Sequence, residues 1–368
     1  MMQTIGVIGL GTMGLGIAQL YAAAGFCVIA TDAHALARIS ARGKIETSLT
    51  ARVAAGKLTA TARDATLANL TISDDLTALA RCTMIIEAII ERLDAKQTLF
   101  AQIQTIAPDA ILATNTSSIP VCDIASALLH PDRLLALHFF NPPAAMKLVE
   151  LAPHAGSAPQ AIETARKITE TAGKTVIQCR DRPGFIVNRC ARPYYGEALA
   201  LLEEGHSAAE IDAAMLAAGY RLGPFALIDL IGADINLATT EGLYAAMGNH
   251  PRYYPFQSLK AQAASGQLGR KTGQGFIFPA EISPRPNPAI STRIEATLIN
   301  EAAFLLAEGG TTPEGIDTAM RLGLNFPRGP FQALSLYGKA KTLSTLSALE
   351  NKAPPHLKSR YTPALESL

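Results

Sequence analysis

An α/β domain built on a parallel sheet, followed by an all-α half that carries its helical unit twice, is the fold class the sequence predicts. Three observations carry this expectation. A strand, a glycine-rich turn, a helix and a second strand open the chain. Strand-like runs then alternate with alanine-rich helical ones to about residue 180. Finally, "EALALLEEGHSAAEIDAAMLAAGYRLGPF" (197–225) returns as "EAAFLLAEGGTTPEGIDTAMRLGLNFPRGPF" (301–331). At 368 residues the chain is long enough for two or three domains with a full core. Hydrophobic residues make up 49% and the net charge is +1, which describes a globular protein with no basic patch for nucleic acid. Cys27, Cys82, Cys122, Cys179 and Cys190 are scattered, odd in number and without C-x-x-C spacing, and read as reduced thiols of a cytoplasmic protein. The histidines form no H-E-x-x-H or close pair, so no metal is expected.

The opening segment has no charged residue before Asp32, a run long enough to raise the question of a membrane span. A secretory leader wants a positive start, which Met1-Met2-Gln3-Thr4 lacks. Gly6, Gly9, Gly11, Gly14 and Gly16 decide against a spanning helix, since each costs a helix interior about 1 kcal/mol relative to alanine. "TIGVIGL" instead reads as a buried strand, "GTMGLGIAQLYAAAG" as a helix bounded by glycine, and "FCVIATD" as a second strand. Parallel strands covered on both faces are apolar throughout. In that context Gly9-x-Gly11-x-x-Gly14 is a dinucleotide fingerprint. The first glycine permits the tight turn, the second lets backbone approach a pyrophosphate, and the third lets helix and strand pack closely. Unpaired amides at the helix start, at Thr12 and Met13, then meet the phosphates. Asp32 ends the second strand, where a carboxylate can accept from a ribose diol and would repel a 2′-phosphate, favouring NAD over NADP. The alternative is a purely structural turn.

"CTMIIEAI", "AILATN", "RLLALHFF" and "KTVIQC" supply further strands, with crossover helices between them. After Pro183 helical periodicity takes over. The expected boundaries are 1–182 for the Rossmann-like NAD-binding domain and 183–282 for the first helical domain. A linker around "SPRPNP" follows at 283–290, then a second, degenerate helical copy at 291–368. "ATNTSS" (113–118) either caps the next helix or lies at the carboxyl end of a strand, where ligands bind in such sheets; by itself it leaves both open. In "LHFFNPPAAMKLVE" (137–150), His138 ends a strand and Glu150 follows beyond a Pro-Pro turn. A histidine bordering a core is commonly structural. One whose far nitrogen is held by a carboxylate is a general base suited to neutral pH. "RPGFIVNR" (182–189) reads as a hinge before a helix carrying a polar Asn188. In "GRKTGQGF", Arg270 and Lys271 are either phosphate ligands or, preferably, part of a glycine-bounded surface turn.

Together, "IGVIGLGTMGLGIAQ", "IIEAIIERLDAK", "NTSS", "LHFFNPPAAMKLVE", "RPGFIVNR", "GPFALIDLIGAD" and "GRKTGQGF" resemble, in order over residues 4 to about 278, the L-3-hydroxyacyl-CoA dehydrogenase family. The resemblance implies a Rossmann-like domain followed by a helical one, NAD as cofactor and an acyl-CoA as substrate. It places the catalytic histidine at His138 and its partner glutamate at Glu150, with Ser117 and Asn188 contacting substrate. It also implies NAD contacts at Asp32, Glu91, Lys96, Asn115 and Ser117. Asn141 is a further candidate substrate contact, and Ser48, Arg52 and Lys57 are candidate ligands of CoA phosphates. The implied reaction is reversible oxidation of a 3-hydroxyacyl-CoA, with His138 taking the hydroxyl proton as hydride leaves carbon 3.

"RGKIETSLTARVAAGKLTA", "VNRCARPYYGEAL" and "IDTAMRLGLNFPRGP" resemble in particular the duplicated members of that family. These include the 3-hydroxyadipyl-CoA dehydrogenases of phenylacetate breakdown, although those proteins generally carry a longer segment between the copies. A 3-hydroxybutyryl-CoA substrate, in fatty-acid β-oxidation, is the other option within the family. In the second copy Thr292 stands in the place of Asn188 and the histidine has no counterpart, so this copy is expected to be architectural. Short members dimerise through their helical domains, so the two copies are expected to form a pseudo-dimeric helical half within one chain; a homodimer of the whole chain stays open. No nucleic-acid or membrane partner is expected. The rival readings are a gulonate- or carnitine-type dehydrogenase on the same fold and an NAD- or acyl-CoA-binding protein without turnover. The β-hydroxyacid dehydrogenases share the glycine start, but their catalytic lysine in a glycine-rich helix start has no match.

Overall fold

The computed structural model describes residues 3–364 and divides into two compact units, Met1–Arg182 and Pro183–Leu368. The first unit runs β1 (Thr4–Ile8), α1 (Thr12–Ala23), β2 (Cys27–Thr31), α2 (Ala35–Ala54), α3 (Ala60–Ala68), β3 (Leu70–Ile72) and β4 (Met84–Glu87). It continues with α4 (Leu93–Ile106), β5 (Ile111–Thr114), α5 (Val121–Ala125), β6 (Leu134–Phe139), β7 (Leu148–Pro153), α6 (Pro159–Thr171) and β8 (Thr175–Gln178). The strands form one sheet in the order β3-β2-β1-β4-β5-β6-β7-β8. Strands β1 to β6 are parallel, and the order reverses direction between β1 and β4. Ligands of such sheets sit at this reversal, outside the carboxyl ends of the strands. Those ends bring Gly9, Asp32, Glu87, Asn115 and His138 to one edge of the unit.

The sheet departs from an all-parallel one on one side. Strands β3 and β7 are absent from the strand runs expected of the sequence, and β7 lies antiparallel to β6, with β8 parallel to β7. Residues 140–147 are too few for a crossover, which needs a dozen or more, so the chain can only fold straight back. Because side chains alternate along a strand, Ile5, Val7, Met84, Ile86, Leu135, Leu137, Val149 and Leu151 share one face. There they form a single cluster with Ile17, Tyr21, Ile45 and Ile168 from the helices. Gly6, Ile85, Leu112, Leu134 and His138 occupy alternate positions and point to the other face.

The second unit is helical: α7 (Val187–Cys190), α8 (Arg192–Glu203), α9 (Ala208–Ala217), α10 (Pro224–Ile231), α11 (Ala233–Ala246), α12 (Gln257–Ala264), α13 (Pro288–Glu308), α14 (Pro313–Leu324), α15 (Pro330–Tyr337) and α16 (Lys339–Lys352). The expected linker ends earlier than residue 290, because residues 288–290 form the first turn of α13. Pro288 suits a first helical turn, where its missing N–H has no bond to make. Helix α13 is buried on all sides from Ile294 to Ala303, as a helix at the centre of a bundle must be, and packs on α7, α8, α9, α15 and α16.

Aspartates organise the helix starts of this unit. Asp212 accepts the amides of Phe225 and Ala226 at 2.9 and 2.8 Å, opening α10. Asp317 accepts those of Phe331 and Gln332 at 2.8 and 3.0 Å, opening α15. Gly223 and Gly329 are glycines because a Cβ on either would fall within 2.3 Å of the capping aspartate. The "GRKTGQGF" segment wraps Asp229, which accepts the amides of Phe276, Ile277 and Phe278. Lys271 is paired with Asp234. Two buried ion clusters complete the unit. Arg189 donates Nε to Glu301 and both terminal nitrogens to Glu308, while Arg252 and Tyr253 also donate to Glu301. Arg293 donates Nε to Glu197 and both terminal nitrogens to Glu204, while Arg360 and Tyr361 also donate to Glu197.

Candidate active site

The glycine turn after β1 has the geometry of a cradle. Gly9 has φ +95, which L side chains rarely adopt, and a Cβ there would lie 2.5 Å from the Ala88 carbonyl oxygen. Gly14 lies against the Gly9 carbonyl, 1.7 Å from where its own Cβ would be, so α1 starts hard against the turn. A Cβ on Gly11 would meet nothing within 4 Å, and no side chain caps α1. The first turn therefore presents the Thr12 and Met13 amides, which have no acceptor within the helix, to an open space. An anion fits there without special pleading. Asp32 follows β2 and accepts from the amides of Leu10 and His34 at 2.7 and 2.8 Å, which ties its carboxylate to the same turn.

Beyond β4 and β5 a second layer of polar contacts forms. Glu87 is fully buried and accepts from Lys96 Nζ at 2.6 Å, from Thr114 Oγ1 at 2.8 Å and from the Ile89 amide at 2.7 Å. Lys96, 1% exposed, also pairs with Glu91 at 3.2 Å, so its charge is spent on two carboxylates of its own unit. Glu91 in turn accepts from the Thr116 hydroxyl, the Ser117 and Ser118 amides and the Ser118 hydroxyl. Burial works against this carboxylate's charge, but Lys96 and these donors outweigh it and hold Glu91 below the usual carboxylate range. The "NTSS" loop is thus moulded around Glu91, leaving Ser117 exposed. Asn115 reaches the neighbouring strand, its Oδ1 accepting the Phe139 amide at 2.9 Å. Glu87 and its bond to Lys96 were not foreseen in the sequence. The signal available was an acid in an otherwise apolar strand with a lysine one helix start later.

His138 and Glu150 meet. They stand directly opposite each other in the β6–β7 ladder, on the same face, and His138 Nδ1 donates to the Glu150 carboxylate at 2.7 Å. Glu150 is 0% exposed and His138 7%. With the proton fixed on Nδ1, the lone pair of the neutral ring lies on Nε2, the arrangement of an oriented general base. Phe140 packs against the ring, 4.7 Å between centroids.

On the other face of the turn, Thr12, Gly16, Lys44, Ser48, Arg52, Asn141 and Pro142 line a cavity of about 520 Å³. Lys44, Ser48 and Arg52 lie four residues apart on α2 and so share a face. Lys57 does not join them: it falls after the end of α2, exposed, and the cation on that face is Lys44 instead. Pro143 presses on Gly16, where a Cβ would come within 2.7 Å, and Lys174 Nζ donates to the Pro143 and Met146 carbonyls at 2.6 Å each. Asn188 belongs to the second unit, in α7, and its carbonyl accepts from Arg192. No group of three or more potential metal ligands occurs among the described residues, and none of their helices is long and apolar enough to cross a membrane.

Comparison with known proteins agrees with this geometry. The model of the 3-hydroxyacyl-CoA dehydrogenase NAD-binding domain matches residues 4–182, and that of the 3-hydroxyacyl-CoA dehydrogenase C-terminal domain matches 184–278 and again 290–368. The chain is 43% identical to the 3-hydroxyadipyl-CoA dehydrogenase of Escherichia coli K12, over 98% of this chain and 96% of that one. It is 38% identical to the mitochondrial hydroxyacyl-coenzyme A dehydrogenase of Rattus norvegicus, covering 75% of this chain and 91% of the relative. The crystal structure of a 3-hydroxybutyryl-CoA dehydrogenase from E. coli K12 superposes with a TM-score of 0.92 at 33% identity, covering 99% of this chain and 97% of that one.

Proposed function

The chain belongs to the 3-hydroxyacyl-CoA dehydrogenase family and is an NAD-dependent oxidoreductase, and from that premise we propose a dicarboxylic substrate of the 3-hydroxyadipyl-CoA class, oxidised through a His138–Glu150 base. The observation that carries the chemistry is the 2.7 Å bond between His138 and Glu150 across the β6–β7 ladder. Gly9, Gly11, Gly14, the Thr12 and Met13 amides and Asp32 would hold NAD, with Glu91, Lys96 and Asn115 shaping the nicotinamide end. Bound there, NAD supplies the acceptor for the hydride from carbon 3. His138 Nε2 takes the hydroxyl proton as the C–O bond becomes C=O, and Glu150 stabilises the imidazolium so formed. Ser117 hydrogen-bonds the reacting oxygen and Asn141 contacts the substrate beside it; the family resemblance assigns a substrate contact to Asn188 as well. Lys44, Ser48 and Arg52 face the CoA phosphates. The name of the 43% identical relative supports the dicarboxylic class. Five free cysteines support a cytoplasmic location.

The helical half is a duplication whose two copies form a pseudo-dimer. Its support is the exchange of partners between copies. Arg189 and Arg293 occupy equivalent positions, as do Glu197 and Glu301, Glu204 and Glu308, and the pairs Arg252-Tyr253 and Arg360-Tyr361. Arg189 bonds Glu301 and Glu308 of the other copy, and Arg293 bonds Glu197 and Glu204. That reciprocity is the signature of an isologous interface. The reading is tested by following NADH oxidation with acetoacetyl-CoA, and NAD reduction with 3-hydroxyadipyl-CoA in the other direction. Turnover is expected in both; an NADH-binding protein with none contradicts it.

A further inference from the structure

Two lysines are buried among the described residues, and they differ in what meets their charge. Lys96 pairs with Glu87 and Glu91. Lys174, 8% exposed between α6 and β8, pairs with no carboxylate of the described residues. Its Nζ donates instead to the Pro143 and Met146 carbonyls, at 2.6 Å each. Burial lowers its pKa to about 8, and no neighbouring charge acts against this. A cation buried without its counter-ion costs stability. What that charge secures is the turn joining β6 to β7.

Residues 140–147 lie outside the β6–β7 ladder, whose last pair is Phe139 with Val149. Neither Pro142 nor Pro143 has an N–H to give, and the amides of Ala145 and Met146 both donate to the Pro142 carbonyl. The turn is thinly bonded within itself and is fixed from outside at two points. The buried Pro143 ring rests on Gly16 of α1, where a Cβ would come within 2.7 Å. The Lys174 ammonium draws in the carbonyls of Pro143 and Met146. Helix α1 has little room to yield, since Ile17, Ala18 and Tyr21 are fully buried in the core of the unit. Loss of Lys174 therefore frees the turn rather than shifting the helix. Asn141 to Ala145 form one wall of the cavity of about 520 Å³, and Lys44, Ser48 and Arg52 of α2 form another. This wall and the catalytic pair are held by different bonds: the turn by Lys174, His138 and Glu150 by the ladder and by each other.

We infer that Lys174 is a positioning residue for the CoA handle of the substrate: by fixing the 140–147 turn it sets the wall against which Lys44, Ser48 and Arg52 hold the phosphates. The inference rests on the reading of this cavity as the CoA site and deepens it. Lys174 touches neither substrate nor cofactor in this role and acts through the two carbonyls. A loosened wall weakens ground state and transition state alike, which raises KM and leaves kcat nearly as it was. A thioester without the phosphates gains nothing from the wall, so its turnover is indifferent to Lys174.

The test compares acetoacetyl-CoA with acetoacetyl-pantetheine, which carries the same acyl group and lacks the phosphates, using the full-length enzyme and NADH. The wild-type chain is expected to favour the CoA thioester by at least about tenfold in kcat/KM. Lys174→Met should raise KM for acetoacetyl-CoA about tenfold, the scale of a misplaced binding group. Its kcat, its NADH affinity and its KM for the pantetheine thioester should stay within about threefold of wild type. Lys174→Arg keeps a cation with several donors and Lys174→Gln a shorter, neutral amide. KM for acetoacetyl-CoA should therefore rise in the order Arg, Gln, Met, and the first two decide the matter if Lys174→Met does not fold. Loss of both thioesters by one common factor, as a merely structural lysine would give, overturns the inference. So does an unchanged KM for acetoacetyl-CoA in Lys174→Gln. A wild-type chain that uses both thioesters equally overturns the CoA reading of the cavity, and the inference with it.

Discussion

Gly11 and Gly14 sit three residues apart in one motif and serve different partners, so their substitutions should separate folding from binding. A Cβ at Gly14 has nowhere to go, because the Gly9 carbonyl lies 1.7 Å from it. Gly14→Ala is expected to cost several kcal/mol of stability, as overpacking against backbone does. A Cβ at Gly11 meets nothing within 4 Å. Gly11→Ala should leave thermal unfolding of the NAD-free protein within about 0.5 kcal/mol of wild type while weakening NADH at least about tenfold. Fluorescence titration and calorimetry check the pair, and a Gly11→Ala protein that binds NADH normally contradicts the cradle. This motif was legible in the sequence because its chemistry is local: strand, turn and helix start are contiguous. Lys57 lies outside the cavity's lining for the complementary reason. Whether it shared the face of Ser48 and Arg52 depended on where α2 stops, while Lys44 already kept the four-residue spacing.

Among elements, β7 shows what a sequence withholds. "LVELAP" follows a Pro-Pro turn closely and looks like its tail, yet it forms the strand that sets Glu150 opposite His138. The pairing is non-local information, fixed by the register, and the resemblance alone suggested it. The starts of α10 and α15 were marked only as Gly-Pro-Phe repeats, and their capping aspartates lie a dozen or so residues upstream. Burial raises Asp212 to about 7, against the pull of the Phe225 and Ala226 amides. A carboxyl raised on folding binds its proton more tightly in the native state than in the unfolded one. Below the unfolded value, near pH 4, it has no effect; between about 4 and about 7 the unfolded chain ionises first and stability falls. Asp212→Asn removes this loss at the cost of one amide bond. Its melting temperature relative to wild type should therefore rise across that interval, and a pH-independent difference contradicts the assignment.

For the whole molecule, the helical half is the part where sequence and structure inform each other most. The repeat predicts two copies, and in the proposed pseudo-dimer their charges cross, Arg189 bonding Glu301 and Glu308 and Arg293 bonding Glu197 and Glu204. Breaking one partner out of such a buried pair costs about 3–5 kcal/mol, and removing the second copy leaves Arg189 without either glutamate. A chain ending at residue 282 should expose apolar surface and self-associate in sedimentation; a soluble, monomeric and fully active one contradicts the pseudo-dimer. Everything in the catalytic account, however, converges on one side chain. His138→Gln keeps the ring's volume roughly and removes its base, so NADH affinity should stay within about threefold of wild type. Turnover of acetoacetyl-CoA should fall about 1,000-fold, the scale of a lost general acid or base. A His138→Gln enzyme that binds NADH normally and keeps most of its turnover would contradict the assignment of His138 and Glu150 as the catalytic pair.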